Sequence, residues 1–131
     1  MTKLQTGKNQ KHTMNFDRFR AICLGFPLVS EEFPFGPETV VYKVGGKIFA
    51  LAGIDLFESI NLKCDPEKAL ELREAFEAVK PGYHMNKKMW NTVTYAGEFS
   101  EKDFYNMIDH SYNEVVKGMT KKLQKELEAL Q

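Results

Sequence analysis

The residues best suited to molecular recognition lie together in the segment 81–93. This segment contains the only tryptophan, Trp90, the adjacent lysines Lys87 and Lys88, and His84, one of three histidines. Ammonium groups can contact phosphates, and aromatic rings can stack on bases. The same residues also suit a tight hairpin whose aromatic side chain packs on a core. The elements that position the segment must therefore be established first.

Catalysis has little support in the sequence. His84 and His110 are 26 residues apart, and no serine lies in a nucleophile-elbow motif. Gly45 and Gly46 lie between two β-rich runs rather than between a strand and a helix, so they do not form a phosphate-binding loop. We therefore predict a non-enzymatic protein with no catalytic residues. An enzyme acting on a small molecule would need a pocket that joins His84 to an acid.

The cysteine pattern indicates neither a metal site nor a redox pair. Cys23 and Cys64 are 41 residues apart, with no CxxC motif and no Cys/His cluster. We predict two buried thiols in a cytoplasmic protein without metal or cofactor. No apolar run approaches the roughly 20 residues that span a bilayer, so we expect no membrane association.

Charge is unevenly distributed along the 131 residues, although the formal net charge is zero. Residues 1–13 contain three lysines and no acid, and we interpret them as a flexible N-terminal extension. Residues 14–131 carry 15 basic and 18 acidic groups and are expected to form a single domain. Duplex-binding domains usually have a basic excess, so any nucleic-acid site must be a local patch.

The first half of this domain predicts a helix followed by three strands. Asn15 can cap the helix, which Gly25 ends, and the proline-containing segment 31–37 reads as an extended connection. Two β-rich runs at 40–44 and 47–51 flank Gly45-Gly46, a pair typical of tight hairpins. A third strand at 59–63 points Ile60 and Leu62 inward.

The second half predicts a helix, a hairpin and two more helices. Asp65 caps the first of these helices, which has Pro66 at its first position and ends at Pro81-Gly82. On it Leu70, Phe76 and Val79 are predicted to face inward. The hairpin pairs residues 83–85 with 90–95, and a capping box, Ser100 with Asp103, opens the next helix. An amphipathic tail helix covers 119–130.

Grouped strands followed by helices indicate an α+β fold. We predict a two-layer domain in which an antiparallel sheet of about five strands has its helices on one face. The expected order is α-β-β-β-α-β-β-α, with an additional C-terminal helix. We expect a monomer.

Lysines on the two hairpins could form a basic strip that contacts phosphates, with Trp90 or Tyr83 stacking on a base. The strip would combine Lys43, Lys47 and Lys63 with His84, Lys87 and Lys88. The alternative is that both aromatic residues are core anchors, the lysines are solvated, and His84 stabilises the turn.

Several motifs resemble the MmcQ/YjbR family. The segment 81–93 closely resembles the family signature. Further matches are Pro-Glu-Thr at 37–39, Val-Gly-Gly-Lys-Ile-Phe-Ala at 44–50 and Ile-Asn-Leu-Lys-Cys at 60–64, which leads into Asp-Pro-Glu. Together they cover most of residues 14–116. The family pattern usually has a histidine where this chain has Met89.

The resemblance implies a two-layer α+β fold similar to secretion-chaperone-like and CyaY-like domains. It also implies DNA binding through a double-wing motif in which the two hairpins are the wings. The implied wing residues are Lys43 and Lys47 on the first hairpin, and His84, Asn86, Lys87, Lys88 and Trp90 on the second. The alternative function is a protein-interaction or chaperone-like module that uses the sheet face and the Trp90 hairpin.

Overall fold

The computed structural model describes residues 14–82, 85–94 and 98–131. Within these ranges the chain forms four helices and one six-stranded sheet. In chain order the elements are α1 (Phe16–Leu24), β1 (Val29–Glu32), β2 (Thr39–Val44), β3 (Lys47–Gly53), β4 (Ser59–Lys63), α2 (Pro66–Ala75), β5 (Val79–Pro81), β6 (Trp90–Thr94), α3 (Glu101–Val116) and α4 (Lys121–Ala129).

Side-chain caps start the helices where the sequence predicts them. The Asn15 side chain accepts a hydrogen bond from the Arg18 amide at 2.9 Å, and Asp65 accepts one from the Lys68 amide at 3.1 Å. Ser100 forms the predicted capping box at the start of α3. Each cap satisfies an amide that has no partner within its own helix.

All neighbouring strands are antiparallel, in the spatial order β1-β2-β3-β4-β6-β5. Gly45 and Gly46 turn β2 into β3 with φ angles of 58° and 80°, which confirms the predicted glycine hairpin. Strand β4 lies in the centre and pairs with both β3 and β6. Strand β4 therefore connects the β2–β3 hairpin to the β5–β6 hairpin within one sheet.

The helices pack on one face of this sheet, so the predicted α+β fold is confirmed. The ring of Phe19 in α1 lies 5.5 Å from that of Tyr42 in β2. In α3, the ring of Tyr112 lies 5.3 Å from that of Phe49 in β3. All four aromatic side chains are buried in a core that extends from Met14 to Leu127.

The prediction of about five strands was one strand short, and the second hairpin was misplaced. Strand β1 overlaps the start of the segment 31–37, which was interpreted as an extended connection, and its Glu31 pairs with Tyr42. Helix α2 ends at Ala75, and Val79 lies in β5 rather than on the helix. Leu70, predicted to face inward, is 56% exposed.

Part of the sequence interpretation lies beyond the described ranges. The extension at 1–13 and the residues Tyr83 and His84 are outside them. None of the helices that the structure describes is long and apolar enough to cross a membrane.

Candidate functional site

The sheet face turned away from the helices carries lysines and other polar residues beside the apolar Val41 and Leu51. Because side chains alternate along a strand, cross-strand partners share a face. One row crosses all six strands on this open face: Glu32, Val41, Leu51, Asn61, Thr92 and Lys80. Strand residues on this face, as the register assigns them, include three lysines, Lys43, Lys63 and Lys80, and one acid, Glu32.

A depression of about 640 Å³ lies on this open face. Its lining includes Phe35, Asn61, Lys80, Met85 and Thr92. The Thr92 hydroxyl donates to Oδ1 of Asn61 at 2.6 Å, which fixes the orientation of the amide. Among the described residues, no hydrogen bond engages Nδ2 of Asn61, so this group can donate to a ligand.

Phe35 gives the depression an aromatic edge. Its side chain is 65% exposed, and it follows β1 in the loop to β2. A ring this exposed is accessible to a ligand. An aromatic ring, an amide donor and an ammonium group therefore line the same depression.

The three lysines predicted on the first hairpin and central strand have different environments. Lys43 forms an ion pair with Glu32, with 3.0 Å between Nζ and Oε1. Lys47 is exposed beside the glycine turn. Lys63 is half-buried at the end of β4 and pairs in register with Trp90. The register thus places Lys43 and Lys63 on the open face, and it places Lys47, which pairs with the core residue Val44, on the helix side.

The second hairpin uses some of its predicted contact residues to hold its own turn. The Lys87 ammonium donates to the Gly82 carbonyl at 3.0 Å. Oδ1 of Asn86 accepts from the Lys88 amide at 2.9 Å and so forms an Asx turn. The Lys88 side chain is exposed. Of this group, Lys88 remains the best placed for a phosphate.

Arg73 of α2 fastens this hairpin to the helix layer. Its guanidinium donates to the carbonyl oxygens of Lys87 and Trp90 and to Oδ1 of Asn91, the last at 2.6 Å. Nδ2 of Asn91 in turn donates to the Ala69 carbonyl at 3.4 Å. The planar, multidentate donor geometry of arginine suits this role. Arg73 therefore fixes the position of β6 from the helix side.

Trp90 is a packing residue in this arrangement. Its side chain is only 9% exposed. A Cβ added to Gly82 would lie 2.6 Å from Cβ of Trp90, so only glycine fits beside it. The Gly82 amide donates to the Trp90 carbonyl at 2.7 Å. The register with Lys63 places Trp90 on the open face, where it is buried beside Gly82 rather than in the core beneath the helices.

The two buried thiols are unsuited to nucleophilic chemistry. Burial raises the pKa of Cys64 to about 11, and it also raises the pKa of Cys23. Both thiols are therefore protonated at neutral pH, and a thiol is a poor nucleophile. Among the described residues no three His, Cys, Asp or Glu side chains group closely enough to hold a metal ion.

Sequence reasoning missed three residues of this region: Phe35, Lys80 and Arg73. Phe35 was placed in a plain connection, and Lys80 was placed near a helix end. Their position on the open face follows from strands β1 and β5, which were not predicted. For Arg73 the only signal was a basic residue in the last turn of α2. Its hydrogen bonds to residues 14 to 18 positions away are not visible in a local pattern.

Comparison with known proteins places the chain in a family. The family model described as YjbR matches residues 24–114, well over half of the chain. The chain belongs to the YjbR family. This confirms the resemblance drawn from the motifs at 37–39, 44–50, 60–64 and 81–93.

The YjbR relationship extends to curated proteins and to solved structures. This YjbR-family chain is 44% identical over 107 residues to YbdF of Escherichia coli O157:H7, covering 81% of this chain and 88% of YbdF. The crystal structure of Deinococcus radiodurans DR2400 is similar, with a TM-score of 0.83, 39% identity and 91% coverage of both chains. A Pseudomonas syringae protein matches with a TM-score of 0.64 and 27% identity, over 76% of this chain and 97% of that one.

Proposed function

We propose that this YjbR-family protein binds single-stranded nucleic acid on the open face of its sheet. One observation carries the proposal: exposed Phe35, exposed Lys80 and half-buried Asn61 line one depression on that face. Aromatic stacking on bases, combined with a positively charged groove, is the common mode of single-strand binding. The proposal keeps the nucleic-acid partner implied by the resemblance and moves the main contact from the hairpin tips to the sheet.

Each group has a defined role in this proposal. Phe35 stacks on a base, and Nδ2 of Asn61 donates to a base carbonyl. Lys63 and Lys80 contact the backbone phosphates, because the register puts both on the open face. Lys88, exposed on the second hairpin, extends the contact at its margin.

A single strand suits this protein better than a duplex. Residues 14–131 have more acidic than basic groups, so the long-range attraction that duplex binding requires is weak. Two of the wing lysines are also engaged, Lys43 by Glu32 and Lys87 by the Gly82 carbonyl. Stacking on an exposed ring requires unpaired bases and depends less on net charge.

Fluorescence anisotropy with a labelled oligothymidylate, at low and at physiological salt, tests the proposal. Replacing Phe35 by alanine should cost about 1–3 kcal/mol of binding free energy, the usual effect of losing one stacked base. The double variant Lys63→Ala/Lys80→Ala should reduce the salt slope by about 1.4, or about 0.7 for each phosphate contact. Leu56→Ala is the control for Phe35 because Leu56 is 79% exposed and does not line the depression.

Competition with other nucleic acids sharpens the test. An unlabelled duplex of the same length should compete poorly, and a single-stranded RNA should compete about as well as the DNA strand. A duplex that competes better than the single strand would contradict the proposal. So would wild-type affinity in the Phe35→Ala protein, or undetectable binding at low salt.

The second candidate function is binding of a protein partner, and the segment 33–35 favours it. Phe33 is 45% and Phe35 65% exposed, and the Pro34 between them is exposed as well. Exposed apolar residues grouped in this way often mark protein contacts. A specific partner should then be lost with Phe33→Ala but retained by Lys63→Ala/Lys80→Ala. If the protein binds nucleic acid instead, the Lys63→Ala/Lys80→Ala variant should lose affinity for it.

A further inference from the structure

A pocket separates helices α2 and α3 on the other side of the sheet. Its volume is about 250 Å³. The floor consists of β4 and β6 residues, among them Leu62 and Val93, and the walls include Leu72 of α2 and Met107 of α3. Ligand pockets are typically apolar with a few polar groups at fixed positions, and this one has that composition.

The two helices run antiparallel along the pocket, which gives it two distinct ends. At one end the Asp65 amide, at the start of α2, donates to Nε2 of His110 at 3.2 Å. At the other end the ring of Phe76, just after α2, lies 4.8 Å from that of Phe99, just before α3. Lys68 and His110 therefore line the first end, and Phe76 and Phe99 line the second.

The first end is polar. Glu114 lies beside it, with Oε2 4.0 Å from Nε2 of His110, but this carboxylate is paired with the Lys117 ammonium at 2.8 Å. Lys68 is exposed at the third position of α2, and no hydrogen bond or ion pair of its ammonium group is seen among the described residues. His110 accepts the Asp65 amide at Nε2, so its neutral form carries the proton on Nδ1 and can donate there. Burial, and next to it the charge of Lys68, hold the pKa of His110 below its usual value. This end offers an ammonium and an N–H donor to an anion.

The second end is apolar, and its acids are engaged elsewhere. Oε1 of Glu98 accepts the Ala78 amide at 2.6 Å, and Oδ2 of Asp103 accepts the Ser100 amide at 2.9 Å. These bonds fix a loop and a helix start, so both carboxylates already serve the fold. The rings of Phe76 and Phe99 provide the remaining surface for a ligand.

We propose that this pocket binds a small amphipathic monocarboxylic acid. Its carboxylate pairs with Lys68 and accepts from His110, and its apolar body lies along Leu72 and Met107 towards Phe76 and Phe99. The size is suitable, because an apolar cavity of about 150 Å³ holds a benzene molecule. A pocket of about 250 Å³ therefore accommodates a ring with a short acidic side chain. The proposal does not depend on nucleic-acid binding, because the pocket lies on the opposite side of the sheet.

Titration of the ¹⁵N-labelled full chain with 3-phenylpropionate, followed by two-dimensional NMR, tests the proposal. Saturable shifts should appear at Leu72, Met107, His110 and the Asn91 side-chain amide. The uncharged 3-phenylpropanamide has the same shape and should bind at least tenfold more weakly. Lys68→Met should weaken binding of the acid at least tenfold and leave binding of the amide unchanged.

Two further variants separate pocket binding from surface adsorption. Lys121→Met, which changes an exposed lysine of α4, is the matched control and should bind the acid as the wild type does. Met107→Trp should fill the pocket and abolish binding of both probes. Because Lys68 is exposed, Lys68→Met should fold. A dispersed spectrum verifies folding of Lys68→Met and of Met107→Trp. Equal affinity for acid and amide, shifts outside the pocket, or no saturation would overturn the proposal.

Discussion

Ser111 of α3 completes the hydrogen bonding of strand β3 at Phe49. Its hydroxyl donates to the Phe49 carbonyl at 2.5 Å and accepts from the Lys63 amide at 2.7 Å. The ladder between β3 and β4 pairs Ala50 with Leu62, and Phe49 and Lys63 are the next residues along. A helix side chain thus bridges two backbone groups just past the end of this ladder.

The first prediction concerns this bridge. Ser111→Ala should lower the free energy of unfolding by about 1–3 kcal/mol, because two polar backbone groups lose their partner in a buried place. Urea denaturation measures the loss. Ser30→Ala, which removes an exposed hydroxyl that donates to Glu32 at 2.7 Å, is the control and should cost less than Ser111→Ala, because water can replace an exposed partner. A loss in Ser111→Ala no larger than in this control would refute the bridging role.

The second prediction concerns the attachment of the second hairpin. Arg73→Met removes the donors to the Lys87 and Trp90 carbonyls, so the turn at 85–89 should open more often. Trypsin should then cleave after Lys87 or Lys88 several-fold faster than in the wild type, as followed by mass spectrometry. Arg18→Met is the control, because it also removes an arginine ion pair, that of Arg18 with Glu101, which does not involve the hairpin. Equally fast cleavage in both variants would show that Arg73 has no specific effect on the hairpin.

The third prediction concerns stability in acid. The Arg20 guanidinium, and to a lesser extent the Tyr42 hydroxyl, hold the pKa of Glu31 below its usual value. A carboxyl with a depressed pKa in the folded state stabilises the fold above its unfolded pKa, about 4.3, and loses this contribution as the pH falls through the folded value. Glu31→Gln should therefore destabilise the protein at about pH 7 and much less at about pH 3.

Denaturant unfolding of wild type and Glu31→Gln at the two pH values measures this difference. Glu126→Gln, which changes an exposed acid of α4, is the control, and its free energy of unfolding should depend on pH as that of the wild type does. A Glu31→Gln penalty that is independent of pH would assign the effect to packing instead of charge.

The fourth prediction concerns His110, whose pKa is lowered chiefly by burial and then by Lys68. Asp65 and Glu114 act in the opposite direction, and Lys117 adds to the lowering. A histidine with a depressed pKa binds protons more readily in the unfolded chain, so stability falls as the pH drops below about 6.5 and levels off below the folded pKa. In His110→Gln this decline should be smaller, as measured by thermal unfolding between about pH 7 and about pH 5. An unchanged slope would contradict the prediction.

The helix caps and the glycine hairpin could be predicted because their causes are local. Asn15, Asp65 and Ser100 each bond an amide three residues away, and Gly45-Gly46 provides the turn conformation without neighbours. Strands β1 and β5 are short edge strands that exist because β2 and β6 pair with them. Strand β1 has four residues and β5 has three, too few to show an alternation of apolar and polar residues, so neither strand could be recognised in the sequence.

The candidate site was only partly predictable for the same reason. Lys43 and Lys63 lie in strands whose alternation was readable, so their open-face positions were expected. The pocket between α2 and α3 depends on how far apart the two helices lie, and no local pattern encodes that distance. Arg73 and Asn91 meet across 18 residues, so their pairing appears only when the helix lies over the sheet.

Strand β6 contributes to both proposed binding surfaces. Its residues alternate, so Asn91 and Val93 line the pocket, while Thr92 lines the depression on the open face. Two sites that share a strand are subject to thermodynamic reciprocity. Any factor by which a carboxylic acid changes the affinity for nucleic acid must equal the factor by which nucleic acid changes the affinity for the acid. Measuring either factor gives the coupling free energy between the two sites, which lie on opposite faces of a single-layer sheet.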